Sequence, residues 1–215
     1  SLLAVILYFR KDLLQLLSGC LLTAKTRSIN PDSRLVLLLA LATLPVVLAG
    51  LGFKSVIENQ LRGVLVIAVS TIVFGVFLWL ADRRSQSSQQ IPELTWQIAL
   101  VIGLSQVVAL IPGTSRSGIT MTAALFCGLD RVSASRFSFL LSIPVIGAAA
   151  LLLLLDLYSV PEVNWLQLGY GLIIAAISAY VCIRYFLLYI SKTGFLPFAI
   201  YRLVLGIFLL YWSLG

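Results

Sequence analysis

The turn Pro112–Gly118 contains residue types that together can bind an anion. Its sequence, Pro-Gly-Thr-Ser-Arg-Ser-Gly, offers three hydroxyl groups, two glycines and one arginine. An arginine presents a planar fork of donors that matches the oxygens of a phosphate group. A helix that starts after the turn would add free backbone N–H groups and the positive end of its dipole. We therefore predict a phosphate-binding site with Arg116 as its central, catalytic cation. The other predicted binding residues are Gly113, Thr114, Ser115, Ser117 and Gly118.

The same residues also allow a purely structural interpretation. Ser and Thr side chains can cap the helix that follows, and Arg116 can bind carbonyl groups that a helix break leaves free. An arginine near the centre of a bilayer costs about 2.5 kcal/mol or more, and this cost favours the anion site for Arg116. Arg202 lies nearer the end of an apolar segment, where it can extend to the membrane surface, so we assign it a structural role. Ser105 and Gln106 are predicted to hydrogen-bond between helices.

The elements that must position this turn are long apolar runs. Of the 215 residues, 60% are hydrophobic and 11% are charged, whereas a soluble domain has about 25% charged residues. Runs of roughly 18 or more apolar residues can cross a bilayer as helices. The chain is therefore predicted to be all-α, a polytopic membrane helix bundle in which residues 1–215 form a single integral membrane domain. The predicted spans are Leu35–Phe53, Gly63–Ala81, Phe137–Tyr158, Leu166–Ile190 and Leu196–Gly215.

The segment Trp96–Leu129, which contains the turn, is predicted to be a re-entrant helical hairpin. It is too long for one crossing, and Pro112-Gly113 and Gly118 are predicted to break it into the arms Trp96–Ile111 and Ile119–Leu129. Each arm is short for a full crossing. If the hairpin enters and leaves on one face, most Lys and Arg residues lie in cytoplasmic loops and the outer loops hold only Lys54 and Arg62, as the positive-inside rule requires.

Charge and composition exclude several classes of function. The formal net charge of +7 follows from basic loops, and no basic helix with interleaved aromatic residues occurs, so nucleic-acid binding is not predicted. The chain has no histidine, which excludes a mechanism that needs an imidazole from these residues. The three cysteines are far apart and have no metal-ligand spacing, so no metal ligand is assigned. The hydrophilic stretch Asp82–Pro92 is interpreted as a solvated loop.

Three motifs carry a resemblance to a known family. They are Pro112–Gly118, Phe137–Pro144 and Pro197–Arg202, in that order and spacing. With them the chain resembles the undecaprenyl-diphosphatase family, the bacitracin-resistance lipid pyrophosphatases of bacterial inner membranes. The resemblance implies hydrolysis of undecaprenyl diphosphate to undecaprenyl phosphate and inorganic phosphate, which recycles the lipid carrier for cell-wall synthesis. It also implies an inverted-topology repeat, contact of Arg116 with the diphosphate, and a pocket lined by Thr114, Ser115 and Ser117.

The resemblance also predicts what this chain lacks. The family pattern has a Glu-rich segment followed by Pro-x-Ser-Ser-Thr-Gly-His, and neither that segment nor a histidine occurs here. We therefore expect the chain to be N-terminally incomplete, without its catalytic segment, and inactive on its own. No cofactor is assigned, a divalent cation (Mg²⁺ or Ca²⁺) is left open, and so is a homodimer.

Two further classes of function stay open at this point. Broken helices that meet in the middle of a membrane are also typical of secondary transporters, so a polyprenyl-phosphate transporter or flippase is one alternative. An inactive membrane fragment that acts only by association is the other.

Overall fold

The structure is a computed structural model, and it describes residues 1–52, 61, 63–84, 90–157 and 165–214. These residues form nine α-helices and one short 3₁₀ turn, Ile91–Glu93. The helices are α1 (Leu2–Tyr8), α2 (Arg10–Thr26), α3 (Pro31–Gly52), α4 (Val64–Arg84), α5 (Trp96–Val108), α6 (Arg116–Phe126), α7 (Arg131–Leu157), α8 (Trp165–Thr193) and α9 (Leu196–Leu214).

Five of these helices, α3, α4, α7, α8 and α9, are long and apolar enough to cross a membrane. The predicted all-α, multi-pass membrane bundle is therefore confirmed. Many of their large apolar side chains are exposed on the outside of the bundle, and α8 is buried over only 6% of its span. Such surfaces suit the hydrocarbon of a bilayer, because lipid tails replace the protein core as their apolar partner.

Some helices extend beyond one end of the apolar runs that predicted them. Helix α3 begins at Pro31 and α7 at Arg131, earlier than the predicted Leu35 and Phe137. Polar residues at the end of a span continue the helical hydrogen bonds outside the apolar layer. Hydropathy therefore predicts the part of a helix inside that layer and not the full length of the helix. The predicted loops Lys54–Arg62, Asp82–Pro92 and Asp156–Trp165 lie wholly or partly outside the described residues.

The predicted hairpin consists of two short helices joined by the polar turn. Helix α5 has 13 residues and α6 has 11, so at 1.5 Å per residue each spans about 20 Å or less, below the roughly 30 Å of a hydrocarbon core. They pack against each other, and α5 also packs on α3 while α6 packs on α4 and α7. The two-armed hairpin therefore exists; its entry and exit on one membrane face and the inverted repeat stay predictions.

The breaks within the hairpin differ from the predicted ones. Helix α5 ends at Val108, four residues before Pro112, and α6 begins at Arg116 instead of Ile119. Gly118 is therefore a helical residue in the first turn of α6 and does not break the chain, so that prediction was wrong. The side chain of Ser115 accepts a hydrogen bond from the Gly118 N–H, and this cap lets the helix start earlier than the glycine suggested.

The interpretation of Asp82–Pro92 as a solvated loop was wrong at its first residues. Helix α4 continues through Arg84, and Asp82 is only 6% exposed. Its Oδ1 accepts a hydrogen bond of 2.6 Å from Nε of Arg131, and its Oδ2 accepts one of 3.0 Å from the Phe195 N–H. One carboxylate therefore joins the end of α4 to the start of α7 and to the turn before α9.

Candidate functional site

Helix α4 binds the polar turn through two side-chain hydrogen bonds. Ser70 Oγ lies 2.6 Å from the carbonyl of Pro112 and Thr71 donates to that of Gly113 at 3.2 Å. Gly113 has φ +90°, and a Cβ there would lie 2.5 Å from the carbonyl oxygen of Ile67 and in contact with Ser70. Only glycine fits this conformation and this close approach. The predicted binding residue Gly113 therefore has a structural role, because it lets the turn lie directly on α4.

Arg116 is the first residue of α6 and is half-buried. Its Nη1 is buried and has no hydrogen-bond partner among the described residues. The side chain lines a cavity of about 310 Å³, which Gln106, Ser117, Thr120 and Ser142 also line. The first N–H groups of a helix have no intrahelical partner and form the positive end of its dipole. Because Arg116 is the first residue of α6, its guanidinium adds a positive charge at that end. An anion in this cavity would compensate both.

Arg202 of α9 also contacts the turn. Its Nη2 donates a hydrogen bond of 2.8 Å to the carbonyl of Gly113, which agrees with a structural role but not with extension to the membrane surface. Its Nε is buried and has no partner among the described residues. The side chain lines a second cavity of about 180 Å³ together with Ser115, Ser117 and Gly118. Arg202 is thus a second half-buried cation at the turn, and the sequence did not assign it to the site.

The structure brings most of the predicted site residues together. Arg116 and Ser117 line the first cavity, and Ser115, Ser117 and Gly118 line the second. Thr114 is fully buried, and its hydroxyl has no partner among the described residues, but it lines neither cavity. Neither cavity has an Asp or Glu side chain among its described lining residues. Neither arginine therefore has a carboxylate partner among the described residues of these two walls.

The three sequence motifs meet at this turn. Thr120, two residues after the first motif, shares a hydrogen bond of 2.6 Å with Ser138 of the second motif, and Ser142 of the second motif lines the Arg116 cavity. Arg202 of the third motif binds the Gly113 carbonyl. Residues that are far apart in the chain thus converge on one site. Its geometry defines a polytopic helical membrane protein with a polar turn that two half-buried arginines contact.

Comparison with known proteins places this chain in a family. The family model described as Bacitracin resistance protein BacA matches residues 1–208, and the chain belongs to that family. It is similar to the undecaprenyl-diphosphatase of Teredinibacter turnerae, with 50% identity over 97% of this chain and 80% of the relative. It is also 50% identical to that of Saccharophagus degradans, over 97% of this chain and 79% of the relative. The undecaprenyl-diphosphatase of Hahella chejuensis is 49% identical, over 99% of this chain and 80% of the relative.

Proposed function

We propose that this chain is an undecaprenyl-diphosphate phosphatase, a hydrolase of the bacterial cytoplasmic membrane. Its family and its similar relatives, which are named undecaprenyl-diphosphatase, support the reaction. The observation that carries the site assignment is the buried, unpartnered Nη1 of Arg116 at the start of α6. A buried donor without a partner costs about 1–3 kcal/mol, and a charged one costs more. A bound phosphoryl group removes this cost.

The geometry supports a division of the substrate between the two cavities. The diphosphate lies at the turn, where Arg116 and the first N–H groups of α6 stabilise the charge that builds up on the terminal phosphoryl group. Water adds to the terminal phosphorus, the bond to the bridging oxygen breaks, and undecaprenyl phosphate and inorganic phosphate result. The second cavity offers Arg202 and Ser115 to the headgroup, and its remaining wall includes Leu78, Met121 and Phe186. This apolar wall suits the first isoprenyl unit.

A resident divalent cation has no evident ligand set in the part of the chain that the structure describes. The described residues hold no group of three His, Cys, Asp or Glu side chains that could hold a metal ion, and a role for Mg²⁺ or Ca²⁺ stays open. The family match covers residues 1–208, and the chain spans 80% of the length of the Teredinibacter turnerae relative; that a catalytic segment precedes these residues stays a prediction. The homodimer stays a prediction.

The proposal is tested with the purified chain in detergent and in sealed liposomes. We expect release of one inorganic phosphate per undecaprenyl diphosphate in detergent, where transport across a membrane has no meaning. The same assay with EDTA measures any dependence on divalent cations. Movement of polyprenyl phosphate across liposomes without any phosphate release would favour a transporter and overturn the phosphatase. Binding of neither lipid, and turnover of neither, would favour an inactive membrane fragment.

A further inference from the structure

Gln106 has a fixed orientation in the wall of the Arg116 cavity. It is 1% exposed, and its Nε2 donates a hydrogen bond of 3.0 Å to the carbonyl oxygen of Ala42 on α3. A carbonyl oxygen can only accept, so the amide nitrogen must face Ala42 and the position of Oε1 follows. The close approach of α3 depends on Gly103, where a Cβ would lie 2.5 Å from the same carbonyl oxygen. The backbone thus holds this amide in place.

Oε1 of Gln106 is a buried acceptor without a partner among the described residues. Two hydroxyl groups in the cavity wall are hydrogen-bonded to backbone carbonyls: Thr120 donates to that of Arg116 at 3.0 Å, and Ser142 to that of Phe139 at 2.6 Å. Among the buried polar atoms of the described cavity wall, a charged donor, Nη1 of Arg116, and a neutral acceptor, Oε1 of Gln106, have no partner. An anion that still carries a hydroxyl group is complementary to both.

We propose that Oε1 of Gln106 accepts a hydrogen bond from a protonated oxygen of the phosphoryl group that Arg116 holds. Gln106 is thus a positioning and specificity residue, and naming the phosphoryl group rests on the proposed function. Inorganic phosphate, the released product, keeps at least one hydroxyl at neutral pH, whereas sulfate keeps none. A sulfate oxygen would face Oε1 lone pair to lone pair, and such an unpaired contact selects against the wrong ligand. The site therefore distinguishes anions of the same shape by their protonation.

The test is the ratio of the dissociation constants of sulfate and inorganic phosphate, measured for one purified protein at neutral pH. For the unchanged chain we expect phosphate to bind tighter on the order of tenfold, the size of one hydrogen bond. Gln106→Leu removes the acceptor and should bring the ratio close to one. Gln106→Glu keeps an acceptor and adds charge, so its ratio should equal or exceed that of the unchanged chain. Gln97→Leu, at an exposed position on the same helix, is the matched control and should keep the ratio.

The ratio separates recognition from stability, because both anions are measured on the same folded molecules. Equal binding of phosphate and sulfate by the unchanged chain would overturn the proposal, and so would a normal ratio in Gln106→Leu. An ionised glutamate also loses the donor to Ala42, so if neither Gln106 variant folds, the unchanged chain decides: a ratio near one in that protein contradicts the proposal. Failure of the unchanged chain to hydrolyse undecaprenyl diphosphate would reject the proposed function, but the anion ratio would still decide the role of Gln106.

Discussion

Three of the described helices begin with an arginine, and the surroundings of two of these residues, Arg116 and Arg131, differ. Arg131 opens α7, where Asp130 caps the helix and Asp82 forms a 2.6 Å ion pair with the guanidinium. Arg116 opens α6, where the cap is the neutral Ser115 and no carboxylate is among the described residues of the cavity wall. A positive side chain at the positive end of a helix dipole is unfavourable unless negative charge lies nearby. The protein supplies that charge at α7, and at α6 the described residues of the cavity wall do not, which is why we propose that the substrate's phosphoryl group supplies it there.

The largest effect should come from Arg116→Ala. Loss of the guanidinium removes the main donor for the phosphoryl group, and we expect kcat/KM for undecaprenyl diphosphate to fall about a hundredfold or more. The melting temperature should stay the same or rise slightly, because the removed charge has no protein partner. Phosphate release and thermal unfolding in detergent measure the two quantities. The control is Arg136→Ala, whose pair with Asp12 is exposed on both sides and should contribute little. If Arg116→Ala lost much stability but its folded fraction kept normal activity, Arg116 would be a structural residue like Arg131 and not a substrate-binding one.

The next effect should come from Asp82→Ala, and it should act on stability. The change leaves Arg131 and the buried Phe195 N–H without their acceptor. Breaking a buried pair costs about 3–5 kcal/mol, but the Arg131 side chain is 36% exposed, so we expect about 2 kcal/mol after this solvent screening. Denaturant unfolding checks the loss, and kcat per folded molecule should change less than twofold. A large drop in kcat at normal stability would show that Asp82 takes part in the reaction instead.

The charged residues Arg116, Asp82 and Arg202 show how much of the site the sequence could predict. Apolar runs predicted the spans, because hydrocarbon thickness sets their length, and the turn composition predicted Arg116 as a buried cation. Asp82 was missed because it ends an apolar run and is followed by polar residues, while its partner lies 49 residues further along the chain. Arg202 was missed for a related reason: only packing of α9 on α4 brings it to the turn. Composition shows that a charge is buried, but only the fold shows what it faces.

The smallest effect should come from Ser115, and it separates the cap from the ligand contact. Ser115 has φ 67° and its hydroxyl oxygen accepts from the Gly118 N–H, so its hydroxyl hydrogen stays available to a phosphoryl oxygen in the second cavity. Ser115→Ala should lower the free energy of unfolding by about 1 kcal/mol, and Ser115→Gly by only a few tenths, since glycine is tolerated at a cap and adopts positive φ freely. Both variants should raise KM by up to about tenfold, the size of one lost hydrogen bond. A Ser115→Gly variant with unchanged KM would assign Ser115 to capping alone, and the second cavity would then bind the headgroup through Arg202 and Ser117.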